Sequence, residues 1–128
     1  MNILTHNKID RELCGTPIEV KNGYCRIELL TSKQMLVDDY KLVHGGFVFG
    51  LADHAAMLAV NDPNVVLGSA SVIFLKPVQP DEILVAEAHV QTVEGKKQIV
   101  QVKVIRNTDV VFEGKFVCFT LKKHVLDS

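Results

Sequence analysis

The hydrophobic positions of this chain follow two different rhythms. In "GGFVFGLADHAAMLAVN", from Gly45 to about Asn61, apolar residues fall on every side of a helical wheel. The run is too long for one buried strand, so it predicts a helix enclosed by the rest of the protein. "NDPN" stops it, because Pro63 cannot continue a helix. Beyond that point the period becomes two. "EILVAEAHVQTV" sets Leu84, Ala86, Ala88 and Val90 on one face and Glu87, His89 and Gln91 on the other. "QIVQVKVIRN" repeats the pattern with Val100, Val102 and Val104 against Gln101 and Lys103. In "TDVVFEGKFVCFTLKK" the residues Phe112, Phe116 and Cys118 share a face, and Gly114 allows a neighbouring backbone to come close. "VVLGSASVIFLKPV" reads as a strand running to Pro77.

Upstream of the helix, "PIEVKNGYCRIELL" carries two extended pieces around Asn22-Gly23, the strongest hairpin signal in the chain. Residues 6–13 read as a short helix with little to fix it, and "TSKQMLVDDYKLV" as a polar, irregular connection. Connections of a few residues make the strands antiparallel neighbours. One apolar helix and four or five long antiparallel strands predict an α+β fold, a curved sheet wrapped around the helix.

Composition narrows the function classes. With 128 residues the chain is long enough for one core and too short for two, so residues 1–128 are expected to be a single domain. A net charge of −1, without a dense lysine and arginine face, argues against a nucleic-acid partner. The three cysteines, Cys14, Cys25 and Cys118, are odd in number and widely spaced, with no C-x-x-C pair. They read as reduced thiols in a cytoplasmic protein, and no metal-ligand spacing appears. The first residues are charged too early for a secretory leader, and no apolar run reaches the ~18 residues of a membrane span.

Within the apolar helix stands one acid, Asp53. Surrounding a carboxylate with hydrocarbon is costly, and desolvation raises its pKa, which makes it a stronger base than a carboxylate in water. Gly45 and Gly46 lie where the helix begins, and their missing side chains leave the first backbone N–H groups open to a ligand. Those donors and the positive end of the helix dipole suit an oxygen that becomes negative, as the carbonyl oxygen of a thioester does in acyl transfer. Asp53 lies roughly 12 Å further along by helix rise. Each residue also has a plain reading. Asp53 fits a buried acid satisfied by a hydroxyl or backbone N–H, His44 a cap, and the two glycines tight helix–sheet packing. His54 points about 100° away from Asp53, so the two neighbours do not make a dyad. Phe47, Phe49 and Met57 fit a core as well as an acyl pocket, while His89 and His124 look solvated.

"HGGFVFGLADHAAMLAVN" resembles the signature of the hot-dog-fold acyl-CoA thioesterases of the phenylacetate-degradation type, with the acid eight residues after the first glycine. "VIFLKPVQPDEILVAEAHV" resembles the stretch that follows the helix in that superfamily, and the likeness runs from about residue 18 to 121. The resemblance implies a hot-dog fold and hydrolysis of an acyl-CoA. Asp53 would be nucleophile or general base, the Gly45 N–H the oxyanion donor, and His44 a catalytic residue that orients the carbonyl or the loop without being the base. It also implies that each site is shared across a dimer interface, with glycine from one subunit and acid from the other. Gly46 and Phe47 are then candidates to line the substrate, and Lys76 and Lys97, with Lys96 and Arg106, to meet the CoA phosphates. No cofactor is expected, since coenzyme A belongs to the substrate. A sheet with exposed edges and an apolar share of 48% predicts an obligate homodimer, pairing again into a homotetramer. The chain departs from the pattern before the histidine: "VDDYKLVHGG" has Asp38 and Asp39 where many relatives carry an asparagine. Two other readings fit the superfamily, a non-catalytic acyl-CoA sensor and a dehydratase or hydratase of acyl thioesters. The sensors usually lack the helix acid and carry a DNA-binding segment, for which the roughly 15 residues ahead of the first strand are too few.

Overall fold

The computed structural model describes residues 2–127. A single helical turn, α1 (Arg11–Cys14), leads into the hairpin β1 (Thr16–Lys21) and β2 (Tyr24–Leu30). The hairpin turns at Asn22-Gly23, where Gly23 holds φ 76°, the left-handed backbone that a two-residue turn of this type requires. After an irregular stretch comes the long helix α2 (Gly45–Val60), followed by β3 (Val65–Phe74), β4 (Ile83–Glu94), β5 (Lys97–Arg106) and β6 (Asp109–Thr120). The six strands form one sheet in the order β1-β2-β4-β5-β6-β3, antiparallel throughout. The expected wrapped sheet is present, and α2 lies along its inner face, chiefly on β2, β4 and β5.

The inner face follows from the period-two pattern. Ile27, Leu84, Ala86, Ala88, Val100, Val102, Val104, Phe112 and Phe116 are all fully buried. They meet Leu51, Ala52, Ala55, Ala56, Leu58 and Ala59 of the helix. Burying each large side chain stabilises the fold by about 1.5–3 kcal/mol, and the alanines let the helix settle close to the sheet. Gly114 does what its position suggested. A Cβ there would lie 2.6 Å from Val72 Cγ1 and 2.8 Å from the Ser71 carbonyl, so β3 and β6 pair this closely only over a glycine.

Two expectations need correction. The short helix occupies only Arg11–Cys14, where the Asp10 carboxylate accepts from the Glu12 and Leu13 N–H groups; His6, at φ 57°, sits in a turn. The strand β3 ends at Phe74, not Pro77. The cause lies on β6, where the register shifts between Val104 and Ile105 and leaves Val111 without a partner opposite it. The Val111 carbonyl accepts from both Leu75 N (2.8 Å) and Lys76 N (3.2 Å), which bends the chain off the sheet before Pro77, a residue with no N–H to offer.

The residues ahead of β1 tie down the helix. Asn61 ends α2 in the left-handed conformation, and its side chain accepts from Leu4 N (2.8 Å) and donates to the Asn2 carbonyl (2.7 Å). The buried His54 ring bonds the Cys14 carbonyl at 3.0 Å and stacks at 6.3 Å on His6. His54 is therefore a structural residue, and burial holds the pKa of both rings below the ordinary value.

Candidate active site

The N-terminus of α2 is built for a ligand oxygen. His44 is the N-cap but places no side-chain atom on the helix N–H groups. Among the described residues, neither the Gly45 nor the Gly46 N–H donates to a backbone acceptor, whereas Phe47 N already reaches the His44 carbonyl at 3.1 Å. The His44 ring folds back over the first turn instead. A Cβ on Gly46 would come within 2.8 Å of His44 Nε2, so Gly46 is small because the imidazole lies over it. The same ring stands edge-on to Phe47 at 6.0 Å. His44, Gly45, Gly46 and Phe47 thus form one cluster, in which Gly46 and His44 are exposed and Phe47 is half-buried.

Asp53 lies two helical turns along from Gly45, and Gly45, Phe49 and Asp53 recur every fourth residue, on one face. This face is the part of the helix the sheet covers least. Phe49 leans on Phe116 and Phe112, at 5.5 and 6.5 Å between ring centres, while Asp53 stands near Cys14 and Cys118. Its Oδ1 is buried without a hydrogen-bond partner, and burial pushes the carboxyl up to about 6. Among the described residues, no hydroxyl or backbone N–H reaches this oxygen. The carboxylate in turn helps push the Cys118 thiol up to about 12, behind burial as the larger cause, so Cys118 is no nucleophile.

Beside Gly45 opens a cavity of about 240 Å³, walled by Leu42, Val43, Val48, Phe74, Val78 and Val111. Lys76 stands at this end of the sheet, paired with Asp109 at 3.1 Å. Arg106 lies close by, held by Glu82 (3.0 Å) and the Pro77 carbonyl (2.8 Å). Lys97 opens β5 at the opposite end of the sheet from Arg106, about 30 Å away by strand rise, so one chain does not bring it to Gly45. Asp38 is occupied in shaping the loop ahead of the helix, where its Oδ1 accepts from Tyr40 N (3.0 Å) and Leu42 N (3.2 Å). Local carboxylates commonly make this kind of turn, which the Asp-Asp-Tyr sequence could have signalled. Sequence reasoning missed Phe74 and Val111 as cavity walls; the only hint was an aromatic at the end of a strand.

Among the described residues no helix is long and apolar enough to cross a membrane. Known proteins share this architecture. A solved structure of an uncharacterized protein from Pyrococcus horikoshii is 56% identical, covers 99% of this chain and 98% of its own, and superposes with a TM-score of 0.98. The PaaI protein of the Escherichia coli phenylacetic acid degradation operon has the same fold at 20% identity, with a TM-score of 0.84 over 93% of this chain and 88% of its own. Among curated proteins, an Aquifex aeolicus methylthioribose-1-phosphate isomerase is 49% identical over 91% of this chain. The transcription factor FapR of Caldanaerobacter subterraneus is 28% identical over 90% of it. The chain spans only 25% of the first of these and 58% of the second. The model of the thioesterase superfamily matches residues 40–113, from the loop ahead of α2 through most of the sheet. By this match over more than half of its length the chain belongs to the thioesterase superfamily, and it has the hot-dog fold of its PaaI-like members.

Proposed function

We propose that this domain hydrolyses acyl-CoA thioesters, with Asp53 as nucleophile or general base and the Gly45 N–H as oxyanion donor. The observation that carries the reading is the buried Asp53 oxygen without a partner, with a carboxyl pushed up to about 6, in a helix whose first two N–H groups have no backbone acceptor. A base titrating near the working pH is well matched to proton transfer. In the water route, Asp53 takes a proton as water attacks the thioester carbon, and the carbonyl oxygen turns negative against the Gly45 N–H. Collapse breaks the carbon–sulfur bond, and the departing thiolate takes the proton back from Asp53. In the nucleophilic route the carboxylate attacks the carbon itself, expels the thiolate and forms an anhydride that water then hydrolyses. No further cofactor is called for, because coenzyme A arrives with the substrate.

The roughly 12 Å between Gly45 and Asp53 in one chain is too long for either route, and a second copy resolves it. Strand β3 is a sheet edge with one ladder unpaired, and Ile73, Phe74 and Leu75 at its end are about half exposed. Pairing β3 with β3 of another copy would continue the sheet and set the Asp53 of one subunit by the Gly45 of the other, in a homodimer able to pair again as a homotetramer. Lys76 is the cation best placed to meet a CoA phosphate. Cys14, Cys25 and Cys118 are all free thiols, which suits a cytoplasmic setting.

The likeness to a transcription factor, FapR, favours one of the other readings that the family resemblance left open, an acyl-CoA-binding module without turnover. Thiol release from a panel of acyl-CoA esters separates the two. Hydrolysis is expected, and Asp53→Asn should lower kcat by about 10²–10⁴-fold, the usual worth of a positioned general base, with KM within a few-fold. Tight binding of acyl-CoA by the unaltered protein with no thiol released would establish the binding module instead.

A further inference from the structure

The cavity beside Gly45 has one aromatic wall. Phe74 ends β3, is 53% exposed, and lays its ring along the first residue of the helix. A Cβ on Gly45 would meet three atoms of that ring, at 3.1, 3.5 and 3.6 Å. Gly45 is thus glycine partly because an aromatic ring occupies the space a side chain would take. Phe112 props Phe74 from behind, edge-on at 5.0 Å and 77°, and is itself fully buried between Phe49 and Phe116. The ring therefore has a rigid back, a helix terminus on one side and open space on the other. An acyl group whose carbonyl oxygen meets the Gly45 N–H must place its first carbons against this ring. What remains beyond is the cavity of about 240 Å³, with aliphatic walls from Leu42, Val43, Val48, Val78 and Val111. That is below the roughly 300–1,000 Å³ of sites that take drug-sized ligands.

We infer that Phe74 is a specificity-determining residue that closes the acyl pocket and restricts the domain to short, apolar acyl groups. This rests on the thioesterase reading and adds the substrate class to it. Val93 supplies an internal control: it is similarly exposed, at 61%, but lies near the end of β4 opposite Gln98, at the far end of the sheet from Gly45.

The test is kcat/KM for acetyl-, butyryl-, hexanoyl-, decanoyl- and palmitoyl-CoA, measured on the unaltered protein, Phe74→Ala, Phe74→Leu and Val93→Ala. The unaltered protein should prefer the short esters. Phe74→Ala should raise kcat/KM for decanoyl-CoA on the order of tenfold or more while changing butyryl-CoA only a few-fold, as expected for a pocket that discriminates by size. Phe74→Leu should fall between, and Val93→Ala should keep the original profile. A flat chain-length profile in the unaltered protein, or an unchanged profile in Phe74→Ala, overturns the assignment. Calorimetry with non-hydrolysable butyryl and decanoyl thioether analogues of CoA keeps the two readings apart. If no variant releases thiol but Phe74→Ala binds the decanoyl analogue at least tenfold more tightly, the hydrolase reading fails and the pocket stands. If Phe74→Ala leaves the affinities of both analogues unchanged, the pocket fails on its own account.

Discussion

The helix α2 has two sides that obey different rules. Along one, Leu51, Ala52, Ala55, Ala56, Leu58 and Ala59 are almost completely enclosed by the sheet, every group is apolar, and nothing is left unpaired. Along the other run Gly46, Phe49, Gly50 and Asp53, none of them fully buried, with two free N–H groups at one end and a carboxylate oxygen lacking a partner near the middle. The first side gives the fold its stability. The second spends some of it, because an unsatisfied buried oxygen costs about 1–3 kcal/mol. The two sides show that stability and reactivity are separated here by about half a turn of one helix, so substitutions on each should fail differently.

The largest loss of stability is expected on the covered side. Leu51→Ala should destabilise the protein by about 2–5 kcal/mol, because a fully buried leucine leaves a cavity. Urea titration gives the loss, and in the protein that remains folded kcat should stay within a few-fold. A large kcat defect in that folded fraction would erase the distinction between the sides.

The opposite sign is expected at Asp53. Its folded-state pKa is raised from 3.8 to about 6, so between those values the folded state holds more protons than the unfolded one. The stability tied to the protonated form is complete below pH 3.8 and is lost as pH rises through about 6. Asp53→Asn, which cannot ionise, should be more stable than the unaltered protein by about 1–3 kcal/mol at neutral pH, after allowance for partial solvation. The advantage should vanish near pH 4. Thermal unfolding of both proteins across pH 4–8 reads it, and equal stability at every pH would mean that Asp53 is satisfied in solution. An inactive yet stabilised variant is the signature of a residue kept for chemistry.

Acid should weaken the strap over the helix by a smaller amount. His54 and His6 both have folded pKa values below the ordinary 6.5, chiefly through burial. Between the folded and unfolded values the unfolded chain binds more protons, so stability falls as pH drops below about 6.5, by no more than about 1.4 kcal/mol per pH unit for each ring. His54→Gln should flatten that acid limb. An unchanged limb would place the acid sensitivity elsewhere.

The smallest effect on stability belongs to Gly46→Ala. Its Cβ would displace the His44 imidazole, which is exposed and free to turn, so stability should change by about 0.5 kcal/mol or less. If the ring orients the thioester, kcat/KM should nonetheless fall several-fold in thiol-release assays. An unchanged value would reduce His44 to a helix cap.

The amino-acid pattern by itself determined the long helix, the faces of β4, β5 and β6, the hairpin at Gly23 and the close approach at Gly114. These depend on periodicity and local backbone freedom, which neighbouring residues carry. It also marked Asp53, because one acid among so many apolar residues is visible without coordinates. What the sequence could not reveal depends on residues far apart in the chain. The Val111 bulge ends β3 early, since a carbonyl on β6 captures the N–H groups of Leu75 and Lys76. The three-dimensional arrangement also separated the lysines: Lys76 lies by Gly45, and Lys97 lies at the far end of the same sheet. It brought Phe74 onto Gly45, across 29 residues of sequence, and so built the wall of the cavity. Such contacts arise from register and sheet curvature, which a single strand's pattern does not encode.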